Sequence, residues 1–101
     1  MWRNVLHLRM IKSWVHKGVR DFYLTGKKSG IIVEHAERLK IILQALNAAI
    51  NPGQLDLPGF RFHKLKGKLK DHYAITVRAN WRIIFKFEGE NVILVDYVDY
   101  H

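Results

Sequence analysis

The residues best equipped for chemistry lie in three places. The segment Arg61-Phe62-His63-Lys64-Leu65-Lys66-Gly67-Lys68 gathers cations around one imidazole, Arg82 stands in a later apolar run, and Asp99-Tyr100-His101 ends the sequence. Metal-free cleavage of RNA asks for such a set. A base must take the 2′-OH proton, cations must hold the extra negative charge of the phosphorane, and an acid must protonate the leaving 5′ oxygen. His, Lys, Arg, Asp and Tyr are those groups. Each piece also has a plainer use. Lys64, Lys66, Lys68 and Lys70 alternate as they would on a solvated edge strand. A single His63 is ordinarily surface decoration, and Asp99-Tyr100-His101 could fray as chain ends do. Arg82, next to Trp81, could rest on an aromatic ring or pair with a carboxylate. These residues leave catalysis, RNA binding without turnover and a merely solvated surface all open, because the choice depends on how the fold assembles them.

Other chemistries lose their usual support. The sequence holds no G-x-x-x-x-G-K-[ST], G-x-G-x-x-G, H-E-x-x-H or G-x-S-x-G, the patterns expected of nucleoside-triphosphate, dinucleotide, zincin and serine-hydrolase sites. With no cysteine there is no disulfide framework or thiol nucleophile, which fits an intracellular home. The six histidines (His7, His16, His35, His63, His72 and His101) lack spacings that set two ligands on one helix face, so no metal is expected. Seventeen Lys and Arg against nine Asp and Glu give a net charge of +8 on 101 residues, a field that favours a polyanion. The apolar runs, such as Val92-Ile93-Leu94-Val95, are of strand length and too short for a membrane span. Residues 1–10 are basic and partly apolar but lack the continuous stretch and cleavage site of a signal peptide.

These groups need a scaffold, and hydropathy supplies one. A content of 49% hydrophobic and 12% aromatic residues suffices for one core. Ile11–Val15 is expected as a short first strand, and Lys17–Leu24 as a helix ended at Thr25-Gly26, where glycine suits a left-handed cap. Ile32, Ala36, Leu39, Leu43, Leu46 and Ile50 recur at helical spacing, with Glu34 and Arg38 four apart on the surface. Asn51-Pro52-Gly53 stops that helix. The period then changes to two. Tyr73, Ile75 and Val77 alternate with Ala74, Thr76 and Arg78. Beyond a turn at Ala79-Asn80, Ile83, Phe85 and Phe87 oppose Arg82, Ile84 and Lys86. Glu88-Gly89-Glu90-Asn91 turns the chain again, and Val92–Tyr97 is apolar enough for a strand with neighbours on both sides. The expected class is α+β, with two N-terminal helices packed on one face of a small, mainly antiparallel sheet. Residues 61–70 are basic without an acid, while residues 88–101 carry Glu88, Glu90, Asp96 and Asp99 without a Lys or Arg, and the two could meet in space.

Four ordered signatures carry a resemblance. They are Met10-Ile11-Lys12-Ser13, His63-x-Leu65-Lys66-Gly67, Val77-Arg78-Ala79-Asn80-Trp81-Arg82-Ile83, and Asp96-Tyr97-x-Asp99-Tyr100-His101. With these, residues 10–101 resemble the HigB toxins of the RelE/ParE superfamily of toxin–antitoxin modules. The resemblance implies a compact RelE-like domain over 10–101, with 1–9 as an extension or a misassigned start. It implies a ribosome-dependent endoribonuclease that cuts mRNA in the A site, using no cofactor and leaving a 2′,3′-cyclic phosphate. It assigns catalysis to His63, Lys66, Arg82, Asp99, Tyr100 and His101, and contact with RNA or ribosome to Arg61, Lys64, Lys68, Lys70 and Arg78. Lys66 and Arg82 would serve as phosphate cations, Asp99 or His63 as base, His101 as acid and Tyr100 as a platform for a codon base. The implied partners are a HigA-type helix-turn-helix antitoxin, which alone brings operator DNA, and the ribosome with its mRNA. A cytoplasmic setting without membrane follows. Two positions depart from the family: Lys64 stands where proline is frequent, and Val98 where an acid is common. A ParE-like toxin that poisons DNA gyrase without chemistry is the rival, and retention of the whole acid–base set favours cleavage.

Overall fold

Helix α1 (Lys17–Thr25) begins where the Nδ1 of His16 accepts from the Val19 amide at 3.0 Å. It ends at Gly26, whose φ of 83° is the left-handed cap expected there, with its amide donating to the Phe22 carbonyl. The structure, a computed structural model, describes residues 11–100, so the expectations for residues 1–9 and for His101 lie outside the described residues. Helix α2 (Ala36–Ala48) follows a 3-10 turn at Val33–His35. Its buried stripe is Ala36, Leu39, Ile42, Leu43 and Leu46, which adds Ile42 to the expected set, while the helix is shorter than expected and leaves Ile32 and Ile50 outside it. A 3-10 turn at Pro52–Leu55 breaks the chain where proline removes the amide that would continue the helix.

Four strands form a meander in sequence order: β1 (His63–Lys64), β2 (His72–Arg78), β3 (Trp81–Glu88) and β4 (Asn91–Asp99). All three pairings are antiparallel. The outer edge of β4 is taken by residues 12–16, so the apolar strand has neighbours on both sides as its composition suggested. That segment is less than the strand expected over 11–15: Trp14 makes a single parallel bridge to Val95. The amides of Lys12 and Val15 donate to the carbonyls of Val92 and Val95. Opposite, β4 bulges between the pairs Ile84–Asp96 and Lys86–Ile93, and Leu94 takes a φ of 57°.

Both helices pack on one sheet face. Val19, Phe22, Leu39, Ile42, Leu43 and Leu46 meet Ile75, Val77, Ile83, Phe85, Val95 and Tyr97 in the main core. The other face is not simply solvated, because Leu65, Ala74 and Ile84 form a second, smaller apolar cluster there, flanked by Leu69 and Val98. The pairing of Glu34 with Arg38 gives way to a tertiary role. The Arg38 guanidinium donates to the carbonyls of Gly59 and Thr76 and lies 5.2 Å from the centre of the Phe60 ring. This ties the loop ahead of β1 to β2. Among the described residues no helix is long and apolar enough to cross a membrane.

Candidate functional site

The register decides which side chains share a face, because directly opposed residues of antiparallel strands point the same way. On the face away from the helices runs the row His63, Ala74, Ile84, Asp96, and beside it the row Thr76, Arg82, Val98. Tyr100 continues the Asp96–Val98 alternation, and its amide donates to the Asn80 carbonyl at 2.8 Å. That bond ties the end of β4 to the β2–β3 turn, so this segment is held rather than frayed up to Tyr100. His63, Arg82 and Tyr100 thus occupy one sheet face.

Lys66 comes just after β1, at the entry to a 3-10 turn over Gly67–Leu69. The Leu65 amide donates to the His72 carbonyl, and Phe62 stacks on Tyr73 at 5.3 Å. These contacts hold the basic segment on β2 while leaving its cations in water. Arg61, His63, Lys64, Lys66, Lys68 and Lys70 are all exposed. Arg61 adopts a φ of 51° and its carbonyl accepts from the His63 Nδ1 at 2.9 Å. Lys64 lies 4.0 Å from Asp71, a solvent-exposed pair worth little.

Strand β1 is separated from β4 by β2 and β3, but the turn that follows it crosses the outer face: Leu69 packs with Val98 and lines one cavity with Asp96 and Tyr100. Three strand spacings separate His63 from Asp96, about 14 Å. Asp99 opposes Trp81 and Arg78 also pairs with Trp81, so the register assigns both to the helix side at the sheet's end. The sequence-derived set therefore divides into a shared face carrying His63, Arg82 and Tyr100, with Lys66 at its margin, and a rim carrying Asp99 and Arg78.

Arg82 is braced. Its Nη1 donates to the carbonyls of Ala79 at 2.6 Å and Trp81 at 3.2 Å, while its Nε is buried without a hydrogen-bond partner. Behind it, on the helix side, Tyr97 holds the Trp81 ring at 4.7 Å. The Tyr97 hydroxyl lies 2.6 Å from Nδ1 of the buried His35 and accepts from the Ile32 amide. Burial and then the charge of Arg78 lower the His35 pKa, against a smaller opposing effect of Glu34. The imidazole is thereby kept neutral, and the Tyr97 hydroxyl can donate to its Nδ1. Burial raises the pKa of Tyr97.

Sequence reasoning missed a cavity of 220 Å³ on the outer face, lined by Leu69, His72, Ile84, Leu94, Asp96 and Tyr100 among others. The signal was present in part: Asp96, Val98 and Tyr100 alternate on one side of the last strand. What sequence could not show is that Leu69, within the basic segment, forms the opposite wall. Among the described residues no group of three or more His, Asp or Glu is placed to hold a metal ion.

The family model described as the RelE-like toxin of the type II toxin–antitoxin system HigB matches residues 12–101. A protein of Proteus vulgaris named Endoribonuclease HigB is 39% identical over 92 residues, which are 91% of this chain and all of that protein. A type II toxin is paired with an antitoxin, so this chain has an antitoxin partner. By the family match over nearly its whole length and by that identity, the chain belongs to the HigB-like family of RelE-like toxins of type II toxin–antitoxin systems.

Proposed function

We propose that the protein is a ribosome-dependent endoribonuclease that cuts mRNA in the A site. The observation that carries the reading is the shared exposed sheet face of His63, Arg82 and Tyr100, bordered by Lys66. The similarity to a protein named an endoribonuclease adds to it. A 2′-OH attacks the adjacent phosphorus and the 5′ oxygen leaves with a proton, giving a 2′,3′-cyclic phosphate and a 5′-OH. Lys66 and Arg82 hold the developing charge. Because Nη1 of Arg82 is engaged by carbonyls, Nη2 is the atom offered to phosphate. His63 or Asp99 takes the 2′-OH proton, His101 supplies one to the leaving oxygen, and Tyr100 stacks on a codon base. Arg61, Lys64, Lys68, Lys70 and Arg78 surround this face with charge for RNA and ribosome. No cofactor takes part. The antitoxin is of HigA type, with a helix-turn-helix through which alone the pair meets operator DNA, and the setting is the cytoplasm.

The test mixes the purified protein with programmed ribosomes and end-labelled mRNA, beside free mRNA and a gyrase supercoiling assay. Cleavage only with ribosomes, at the A-site codon and with a cyclic phosphate end, is the expected result. Loss of supercoiling without cleavage would transfer the protein to the gyrase-poison class.

A further inference from the structure

The cavity on the outer face shares Tyr100 with the candidate site, while its other lining residues have no part in that site. Its floor is apolar: Ile84 is buried at 5% exposure, and Leu69 and Val98 pack beside it. Its rim carries three of the seven large apolar side chains that the described residues leave in water, Val15, Leu94 and Tyr100. Leu94 is presented there by a backbone that leucine rarely adopts. Its φ of 57° is kept by the Ser13 hydroxyl, which accepts from the Leu94 amide at 2.8 Å, and by the Val95 amide bonding to the Ser13 carbonyl.

Two polar side chains interrupt this lining, His72 from β2 and Asp96 from β4. Nδ1 of His72 is buried without a partner, so no hydrogen bond at that atom commits the ring to one tautomer. Asp96 Oδ1 accepts from the Tyr97 amide at 2.9 Å, which fixes the carboxylate and leaves Oδ2 as an acceptor. A mostly apolar cavity with an aromatic lip and an oriented acceptor offers what a nucleobase needs: apolar contact for its faces and a hydrogen-bond partner at its edge. Tyr100 belongs to both the cavity and the candidate catalytic face, and Leu69 lies three residues from Lys66. A base next to a phosphate held by Lys66 and Arg82 has the cavity within reach.

We propose that this cavity binds one base of the RNA substrate and that Asp96 selects for bases with an amino group. The proposal rests on the RNA-cleaving reading above and names the specificity determinant of that site. A carboxylate only accepts, so it favours the amino group of cytosine, adenine or guanine. It disfavours uracil, whose one N–H is flanked by two carbonyl oxygens. Cytosine against uracil is the clean comparison, because the two rings have the same size.

The experiment measures binding of 2′-O-methyl oligocytidine and oligouridine, which cannot be cut by 2′-OH attack, to the whole protein. Relative cleavage of ribosome-bound reporter mRNAs that differ only by C or U at the cut codon is measured alongside. The wild type should prefer C by about tenfold, the size of one good base-edge contact. Asp96→Asn, nearly isosteric but able to donate as well as accept, should bring the ratio close to one. Val15→Trp, at an exposed position on the rim, should weaken binding of both oligomers and reduce the C preference, without a fall in melting temperature. Equal binding of C and U by the wild type, or an unchanged ratio in Asp96→Asn, would overturn the proposal. C preference in binding that Asp96→Asn abolishes, with no cleavage of any mRNA, would sustain the base site and remove the nuclease reading instead.

Discussion

The guanidinium of Arg82 is divided between fold and solvent: Nη1 holds the Ala79 and Trp81 carbonyls, and Nε is enclosed by the sheet. Lysine at this position would have to choose between the turn and a phosphate, because its one ammonium cannot fork. Arg82→Lys is therefore expected to lower the single-turnover cleavage rate about 100-fold or more, the usual loss for a transition-state donor. A rate near that of the wild type would show that charge alone suffices at this position. His35 is the second residue with a testable consequence. Its folded-state pKa lies below the ordinary histidine value, so the unfolded chain binds the proton more readily. Its contribution leaves stability unchanged well above pH 6.5 and removes stability as pH falls from there toward the folded pKa. His35→Asn keeps an acceptor for the Tyr97 hydroxyl but does not titrate. The wild type should lose more melting temperature than this variant between pH 7.5 and pH 5.5, and parallel losses would place the pH sensitivity elsewhere. At this scale the sequence was only partly legible. The types of His63, Lys66, Arg82 and Tyr100 pointed to phosphate chemistry. The His35–Tyr97 bond joins residues 62 positions apart, and no local pattern announces it. Arg38 misled for the same reason, since its carbonyl partners come from a distant loop and strand.

Two glycines meet where α1 begins. A Cβ on Gly18 would stand 2.3 Å from the carbonyl oxygen of Gly30, and one on Gly30 would stand 2.5 Å from the Gly18 Cα. Both obstacles are backbone, so no side-chain movement relieves them. Gly26, in contrast, has open space around it and only a left-handed φ to protect it. Gly18→Ala should destabilise by about 3 kcal/mol, the upper range for forced overpacking, and Gly26→Ala by about 1 kcal/mol from backbone strain alone. Denaturant melts of the two variants check the order, and equal losses would mean that the 26–31 loop simply moves away. The helices and the three long strands were legible because each has its own period, and Gly26 was legible as a cap. The segment 11–15 was overestimated as a strand because a β-favouring composition does not reveal how many bonds a partner will offer. Strand β1 and the 3-10 turn after it were hidden within a basic stretch whose apolar anchors, Leu65 and Leu69, face a cluster assembled from β2, β3 and β4.

Across the whole molecule, charge acts over a distance that the sheet order sets. The basic segment begins on β1 at one edge and crosses the outer face on apolar Leu69, while Lys66, Lys68 and Lys70 stay exposed to solvent. If Lys68 and Lys70 meet phosphates, replacing both with alanine should reduce the slope of log affinity against log salt for single-stranded RNA by about 1.4, at about 0.7 per contact. An unchanged slope would identify them as plain solvated lysines. The same topology has a consequence for the order of manufacture. Ser13 meets Leu94 across 81 residues, and Tyr100 is fastened to the β2–β3 turn. Helices and the β2–β3 hairpin can form from neighbours in sequence as the chain emerges, but β4 is synthesised after them, and its two edges and the Tyr100 side of the outer face stay unmade until it arrives. A nascent chain whose β4 is still enclosed by the ribosome that makes it is thus a folding intermediate in which Asp96, Val98 and Tyr100 have yet to join His63 and Arg82 on the outer face.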